Sequence, residues 1–283
     1  MPMIAKQARY TLFIVDDNDP LNPREDRDNF GKMVCFHRRY ALGDKHDYKD
    51  PDDFLADLCR DTFPASEIVK MIADNKLEYL RFEPDEEEIG TYYLKYYDDY
   101  FKKWYEEATF DYPPAEAEDE IADAALECMK TSDLLELARN NNVILPLYLY
   151  DHSGITMSCS PFSCRWDSGQ VGWIYADSDM IKKEYGAVTP ETIAKAKSLL
   201  ESEVKEYDYY ITGQCYGYKL YEGDNQIDSC WGFIGEINDV SKNIKEHLPS
   251  ECANIVDSLE FHYDVDEDEY LEQSLEDENE MEM

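Results

Sequence analysis

"VILPLYLYDHSGITMSCSPFSCRWDSGQVGWIYAD", residues Val143 to Asp177, decides the fold class. It contains three runs rich in β-branched and aromatic residues, VILPLYLYD, GITMSCS and QVGWIYAD. DHSG and WDSG separate them, residue types whose side chains and glycines close tight turns. The spacing predicts strands of a mostly antiparallel sheet, with Gly154 and Gly169 at positive φ and with Trp166 and Trp173 packed on the sheet.

Working outward, TPETIAKAKSLLESEVKEYDYY is a helix by its periodicity. Thr189 is its cap, Pro190 its first turn, and Ile193, Ala196, Leu200, Val204 and Tyr207 its buried stripe. QCYGYKLYEG and DSCWGFIGE read as two strands joined at GDN, and DVSKNIKEHLP as a short helix. Near the start, RYTLFIVD and KMVCFHRRY are β-rich runs; the sequence leaves open whether they join the same sheet.

Residues 51 to 142 have a different character. DPDDFLADLCRDTF and PASEIVKMIADNK read as helices, the second capped by Ser66, and LEYLRFEP as a strand. GTYYLKYYDDYFKKWYEEATF places Tyr93, Tyr97, Tyr100, Phe101 and Trp104 on one helical face. One or two further helices follow in AEAEDEIADAALECMKTSDLLELARNNN. The expected class is therefore α+β: a mostly antiparallel sheet with a helical insertion and a disordered acidic C-terminal tail. The corresponding segments are an N-terminal β segment (1–50), an acidic helical region (51–142), an α+β domain (143–263) and the tail (264–283).

The chain of 283 residues carries 64 acids against 27 bases, a net charge of −37. Residues 1–50 are balanced, 51–150 carry −16, 151–200 carry −1 and 201–283 carry −20. The last twenty residues hold eleven acids and no base, too little apolar surface to order most of them. Charge of this sign repels nucleic acid and anionic membranes, so neither is expected as a direct ligand. No apolar run approaches the roughly 20 residues that cross a bilayer, and MPMIAKQARYTLFIVDD turns acidic too soon for a signal peptide. The protein is expected in the cytoplasm of the cell that makes it, with no cofactor.

The eight cysteines are scattered without a CxxC pair, the pattern of reduced thiols and not of a metal ribbon. Asp16, Asp17 and Asp19 lack the glycine and closing glutamate of a calcium loop.

Two groups of residues are candidates for function. Glu116, Glu120, Asp123 and Glu127 recur at helical spacing as a carboxylate stripe beside a buried face of Ile121, Ala125 and Cys128. Such a stripe could meet phosphate-binding positions of a partner. Asp151, His152, Trp166 and Asp167 form a second candidate surface in the near-neutral stretch. The same stretch allows two chemical alternatives. One is a hydrolase with Cys164 (or Ser158) as nucleophile, His152 as base and Asp167 or Asp151 as orienter. The other is a metal held by His152, Cys159 and Cys164. Neither reproduces a known catalytic signature, and the protein is read as a binding protein before an enzyme.

YDHSGITMS, PFSCRWDSGQVGWIY and CFHRRYALGDKHDY resemble motifs of an uncharacterised family of acidic proteins of phages and mobile elements. The resemblance covers about half the chain and implies a setting of phage–host conflict, with no activity attached. Together with the charge it leads to an expected function: antagonism of a host nucleic-acid-binding defence complex by DNA mimicry, in the manner of anti-restriction or anti-CRISPR proteins. The alternatives are a shape-specific inhibitor or adaptor without mimicry, and the hydrolase.

Overall fold

The computed structural model describes residues 2–262 and 265–273. In chain order the elements are β1 (Met3–Gln7), β2 (Tyr10–Asp16), α1 (Pro23–Asp26), β3 (Lys32–Cys35), α2 (Pro51–Thr62), α3 (Ala65–Ala73), β4 (Leu80–Pro84), β5 (Tyr92–Asp98) and β6 (Lys103–Phe110). A 3-10 turn (Pro114–Glu116) then leads into α4 (Glu118–Cys128), α5 (Thr131–Asn141), β7 (Asn142–Asp151), β8 (Ile155–Ser158), β9 (Ser168–Asp177), α6 (Ser178–Tyr185) and α7 (Pro190–Ile211). The chain continues through β10 (Cys215–Glu222), β11 (Asn225–Ile234), α8 (Ile237–His247), a second 3-10 segment (Ala253–Ser258) and β12 (Glu260–Phe261). The class is α+β, and the strand pairs whose register is defined are antiparallel. No helix among the described residues is long and apolar enough to cross a membrane.

Contacts divide the chain into two compact units, each assembled from separate segments. Unit 1 comprises residues 1–29, 148–170 and 201–283, and unit 2 residues 30–147 and 171–200.

Unit 1 is built on a five-stranded sheet of order β11-β10-β2-β1-β12. The two N-terminal strands therefore complete a sheet with the last hairpin, the point that sequence alone left open. Side chains alternate across a strand, and both faces of this sheet are covered. Leu12, Ile14, Tyr218 and Leu220 pack with Val240 and Ile244 of α8 and with Ile255. Ile4 and Phe13 face the other way and pack with Leu271 and Tyr270. In β10, Gly217 lies opposite Trp231 of β11, and a Cβ at 217 would fall 2.1 Å from the indole ring. The ring occupies the space that a side chain would need.

Unit 2 places its helices over the three-stranded sheet β4-β5-β6. Phe54 and Leu55 of α2, Ile68 of α3, Ile121 of α4 and Leu134 of α5 bury against Leu80 and Leu94. Asp50 caps α2 by accepting from the backbone N–H groups of Asp52 and Asp53, with Pro51 at the first position. β3 pairs with the C-terminal part of β9, Lys32 opposite Tyr175.

Several expectations need correction. The aromatic segment 91–110 is not a helix but the hairpin β5–β6. Its tyrosines, tryptophan and threonine suit a pleated surface, and Asp98 closes the turn by accepting from the N–H groups of Tyr100 and Phe101. The insertion is thus helical and β together. Gly169 lies inside β9 without positive φ, whereas Gly154 has φ 154° at the β7–β8 turn. Trp173 is buried as expected, but Trp166 is 96% exposed. Ile193 is exposed, while Ala196, Leu200, Val204 and Tyr207 are buried. Pro64 and not Ser66 precedes α3. Within the tail expected to be disordered from Asp264, residues 265–273 are ordered instead: 267–273 are helical, and Leu271 is buried on Ile4 and Phe13. Residues 274–283 of that tail lie outside the described residues.

Candidate functional site

The carboxylate stripe sits in unit 2. Glu116, Glu120, Asp123 and Glu127 are all exposed, and Ile121 and Ala125 beside them are fully buried. They do not share one helix. Pro113 and Pro114 favour a 3-10 turn that ends at Glu116, and Ala117 leaves helical geometry with φ −128° and ψ 32° before α4 begins. Glu120, Asp123 and Glu127 remain on α4, with about 10 Å of rise from first to last. Asp123 is already engaged, accepting from Arg60 Nε at 2.8 Å. Glu116, Glu120 and Glu127 have no ion pair among the described residues. Glu118, Asp119 and Glu120 fill the first turn of α4, where the partial positive charge of the helix end favours carboxylates.

Unit 1 holds a larger imbalance. Residues 201–283 carry 24 acids and four bases, and each of those bases is tied to an acid of the same segment. Lys205 pairs with Glu236, Lys219 with Glu267, Lys242 with Asp239 and Lys245 with Asp257. Arg9, Arg24 and Arg27 from the N-terminal segment take up three more carboxylates, Glu222, Glu203 and Glu206.

The second surface is also in unit 1, and the structure brings most of its members together. Asp167 Oδ2 lies 3.4 Å from His152 Nδ1 and 3.4 Å from Cys164 Sγ. The Asp167 carbonyl accepts from Asp151 N at 2.8 Å, and the Ser168 hydroxyl donates to the Cys164 carbonyl. Tyr150 packs between His152 and Phe162, at 6.1 and 5.7 Å between ring centroids. Asp208 anchors the neighbouring strand, its Oδ1 accepting from Thr156 Oγ1 and Met157 N at 2.7 Å each. Trp166 projects from this ordered loop into solvent.

In nucleophilic catalysis the base touches the nucleophile and the carboxylate orients the base. Here the Cys164 thiol and His152 Nδ1 both meet Asp167 Oδ2. His152, Cys159 and Cys164 do not form a metal cluster, and no group of three His, Cys, Asp or Glu residues among the described residues is placed to hold an ion.

Sequence reasoning missed residues 44–57. The signal was present in GDKHDY, which combines His, Asp and Tyr next to a capped helix, but it served only as part of a resemblance. In the fold these residues line a cavity with α2 and β9 of unit 2. Comparison with family models, with curated proteins and with solved structures gives no match, so these sites are read from their own geometry.

Proposed function

We propose that the chain is an anionic decoy that occupies the nucleic-acid-binding cleft of a basic protein. The observation that supports this best is the internal pairing of all four lysines in residues 201–283, a segment of net charge −20. These lysines are held by four carboxylates of their own segment, which keeps its strong excess of acids. Exposed Glu116, Glu120 and Glu127 extend the same character to unit 2. A basic cleft that gains affinity by neutralising phosphates gains from carboxylates held on a folded scaffold in the same way. The resemblance of the motifs to acidic phage and mobile-element proteins points to a host defence complex as that partner. Like charge argues against direct contact with nucleic acid or an anionic membrane.

The exposed Trp166 beside Asp167 and His152 favours a second reading, a shape-specific inhibitor or adaptor that binds through the near-neutral loop. An aromatic anchor of this kind is typical of interface centres.

The two readings separate in one experiment. A protein captured from host extract by the intact chain is challenged with duplex DNA and with salt. A decoy is displaced by DNA and weakens steeply between about 0.1 and about 0.5 M salt. A captured partner that binds DNA and the chain together, with affinity indifferent to salt, overturns mimicry and supports recognition by shape.

A further inference from the structure

Loop residues 44–48, α2 and β9 surround a cavity of 660 Å³ within unit 2. Asp44 secures the loop to β3, its Oδ2 accepting from Met33 N at 2.7 Å while its own N–H donates to the Met33 carbonyl at 2.8 Å. Asp53 and Asp57 stand one turn apart on α2 and share the cavity wall.

The inner wall is rich in acceptors. His46 Nε2 lies 3.0 Å from the Cys35 carbonyl, which can only accept, so Nε2 donates. The ring's Nδ1 is buried and has no partner. Tyr48 donates its hydroxyl to Asp57 Oδ2 at 3.0 Å, and its oxygen keeps lone pairs that can accept. Tyr175 is only 6% exposed, lines the cavity, and has no hydrogen-bond partner for its hydroxyl among the described residues. Burial drives the Tyr48 hydroxyl up to about 12 and the Tyr175 hydroxyl higher still, with nearby aspartates adding to both, so both phenols stay neutral. Lys32 and Lys45 also line the space and are exposed. Four aspartates outnumber these two ammonium groups, and the field of the wall remains negative.

We infer that this cavity binds a guanidinium group. The group is planar, permanently charged and offers several donors, which match the Tyr48 oxygen and the carboxylates of Asp53 and Asp57 on the cavity wall. Tyr175 accepts a further donor. A phosphate or carboxylate ligand would meet acceptors on nearly every inner position. The guanidinium has two sources, a free guanidino compound or an arginine side chain of a partner protein, and only the second rests on the decoy reading.

The test is a nuclear magnetic resonance titration of the intact chain with N-methylguanidinium, using n-butylammonium and inorganic phosphate as comparators. The expected result is saturable shifts at His46, Tyr48 and Tyr175 with N-methylguanidinium, weaker ones with butylammonium and none with phosphate. Asp57→Asn should weaken binding about tenfold, the loss of one charge-assisted hydrogen bond. Asp57 also holds Tyr48 and Arg60, so Tyr175→Phe, which keeps the ring, is the second variant, with a several-fold loss expected. Shifts that never saturate, equal response to butylammonium, preference for phosphate, or unchanged binding in Tyr175→Phe would each overturn the inference. A short peptide with one central arginine separates the sources: tighter binding than N-methylguanidinium assigns a partner's arginine, equal binding a free compound. Failure here with DNA still displacing a captured partner removes the cavity site alone. Guanidinium binding without such displacement removes the decoy reading alone.

Discussion

Arg24 donates to Glu203 across 3.0 Å, with the arginine side chain 1% exposed and the glutamate 11% exposed. The two residues stand 179 positions apart and tie α1 to the C-terminal half of α7 inside unit 1. A buried ion pair adds little over an apolar pair, but removing one partner strands the other charge. Arg24→Met is expected to lower unfolding free energy by about 3–5 kcal/mol, measured by urea denaturation. An unchanged midpoint would show that Glu203 is solvated when alone.

The C-terminal segment is expected to contribute to stability, against its acidic composition. Leu271 is 6% exposed and packs with Ile4 and Phe13, and Phe13 meets Tyr270 edge to face at 5.7 Å. Leu271→Ala should cost about 2–5 kcal/mol, the usual range for a buried leucine. Deleting residues 274–283 removes none of these contacts and should leave the melting temperature nearly unchanged, whereas deletion from residue 264 should lower it. Equal melting temperatures for the two truncations would contradict this.

Two thiols, Cys59 buried and Cys128 half-buried, make unit 2 sensitive to alkali. Burial pushes Cys59 and Cys128 from 9.0 up to about 12, and the charge of Glu107 adds to the effect at Cys128. Above pH 9 the unfolded chain loses protons that the folded chain keeps, so their stabilising contribution is full below pH 9 and falls between pH 9 and about 12. The expected slope is about 1.4 kcal/mol per pH unit for each thiol. Cys59→Ala should reduce the slope by about one thiol's share, measured as urea midpoints at about pH 8.5 and about pH 10.5. A slope equal to wild type would show that Cys59 titrates alike in both states.

The stripe on α4 separates into residues with different consequences. Glu116, Glu120 and Glu127 changed together to Gln should weaken capture of a basic partner, and the deficit should shrink as salt rises. Asp123→Asn removes one carboxylate of the stripe and leaves Arg60 paired with Asp57, so it too should weaken binding, with a stability change within about 1 kcal/mol because the pair is exposed. Affinity that is the same in all these variants would move recognition elsewhere.

Much of the fold was legible because its signals are local. Thr189 and Pro190 open α7, Asp50 and Pro51 open α2, and GDN turns β10 into β11, each through the chemistry of a few adjacent residues. The hairpin at 91–110 escapes periodicity because Tyr93, Tyr97, Tyr100 and Trp104 fit a helical period, although Tyr93 and Tyr97 lie on β5, Tyr100 in the turn and Trp104 on β6. The deciding feature is the turn at Asp98, with Lys102 at φ 56°, which periodicity does not weigh. For the site, the residue types of Asp167, His152 and Cys164 were visible in a short stretch, but their convergence on one carboxylate oxygen was not. The cavity was hidden altogether, since Tyr175 lies 118 or more positions from Asp53 and Asp57 in sequence and reaches them only through β3–β9 pairing.

Trp231 lying flat over Gly217 also constrains how this sequence can diverge. Any side chain at 217 collides with the indole, and any small residue at 231 leaves bare backbone where the ring lay. The two positions are therefore expected to change together, so that descendants of this chain carry either glycine with an aromatic ring or a side chain with a small neighbour. A library randomised at both positions and selected for folding should recover those two combinations and few others, a record of the β10–β11 register written as paired substitutions.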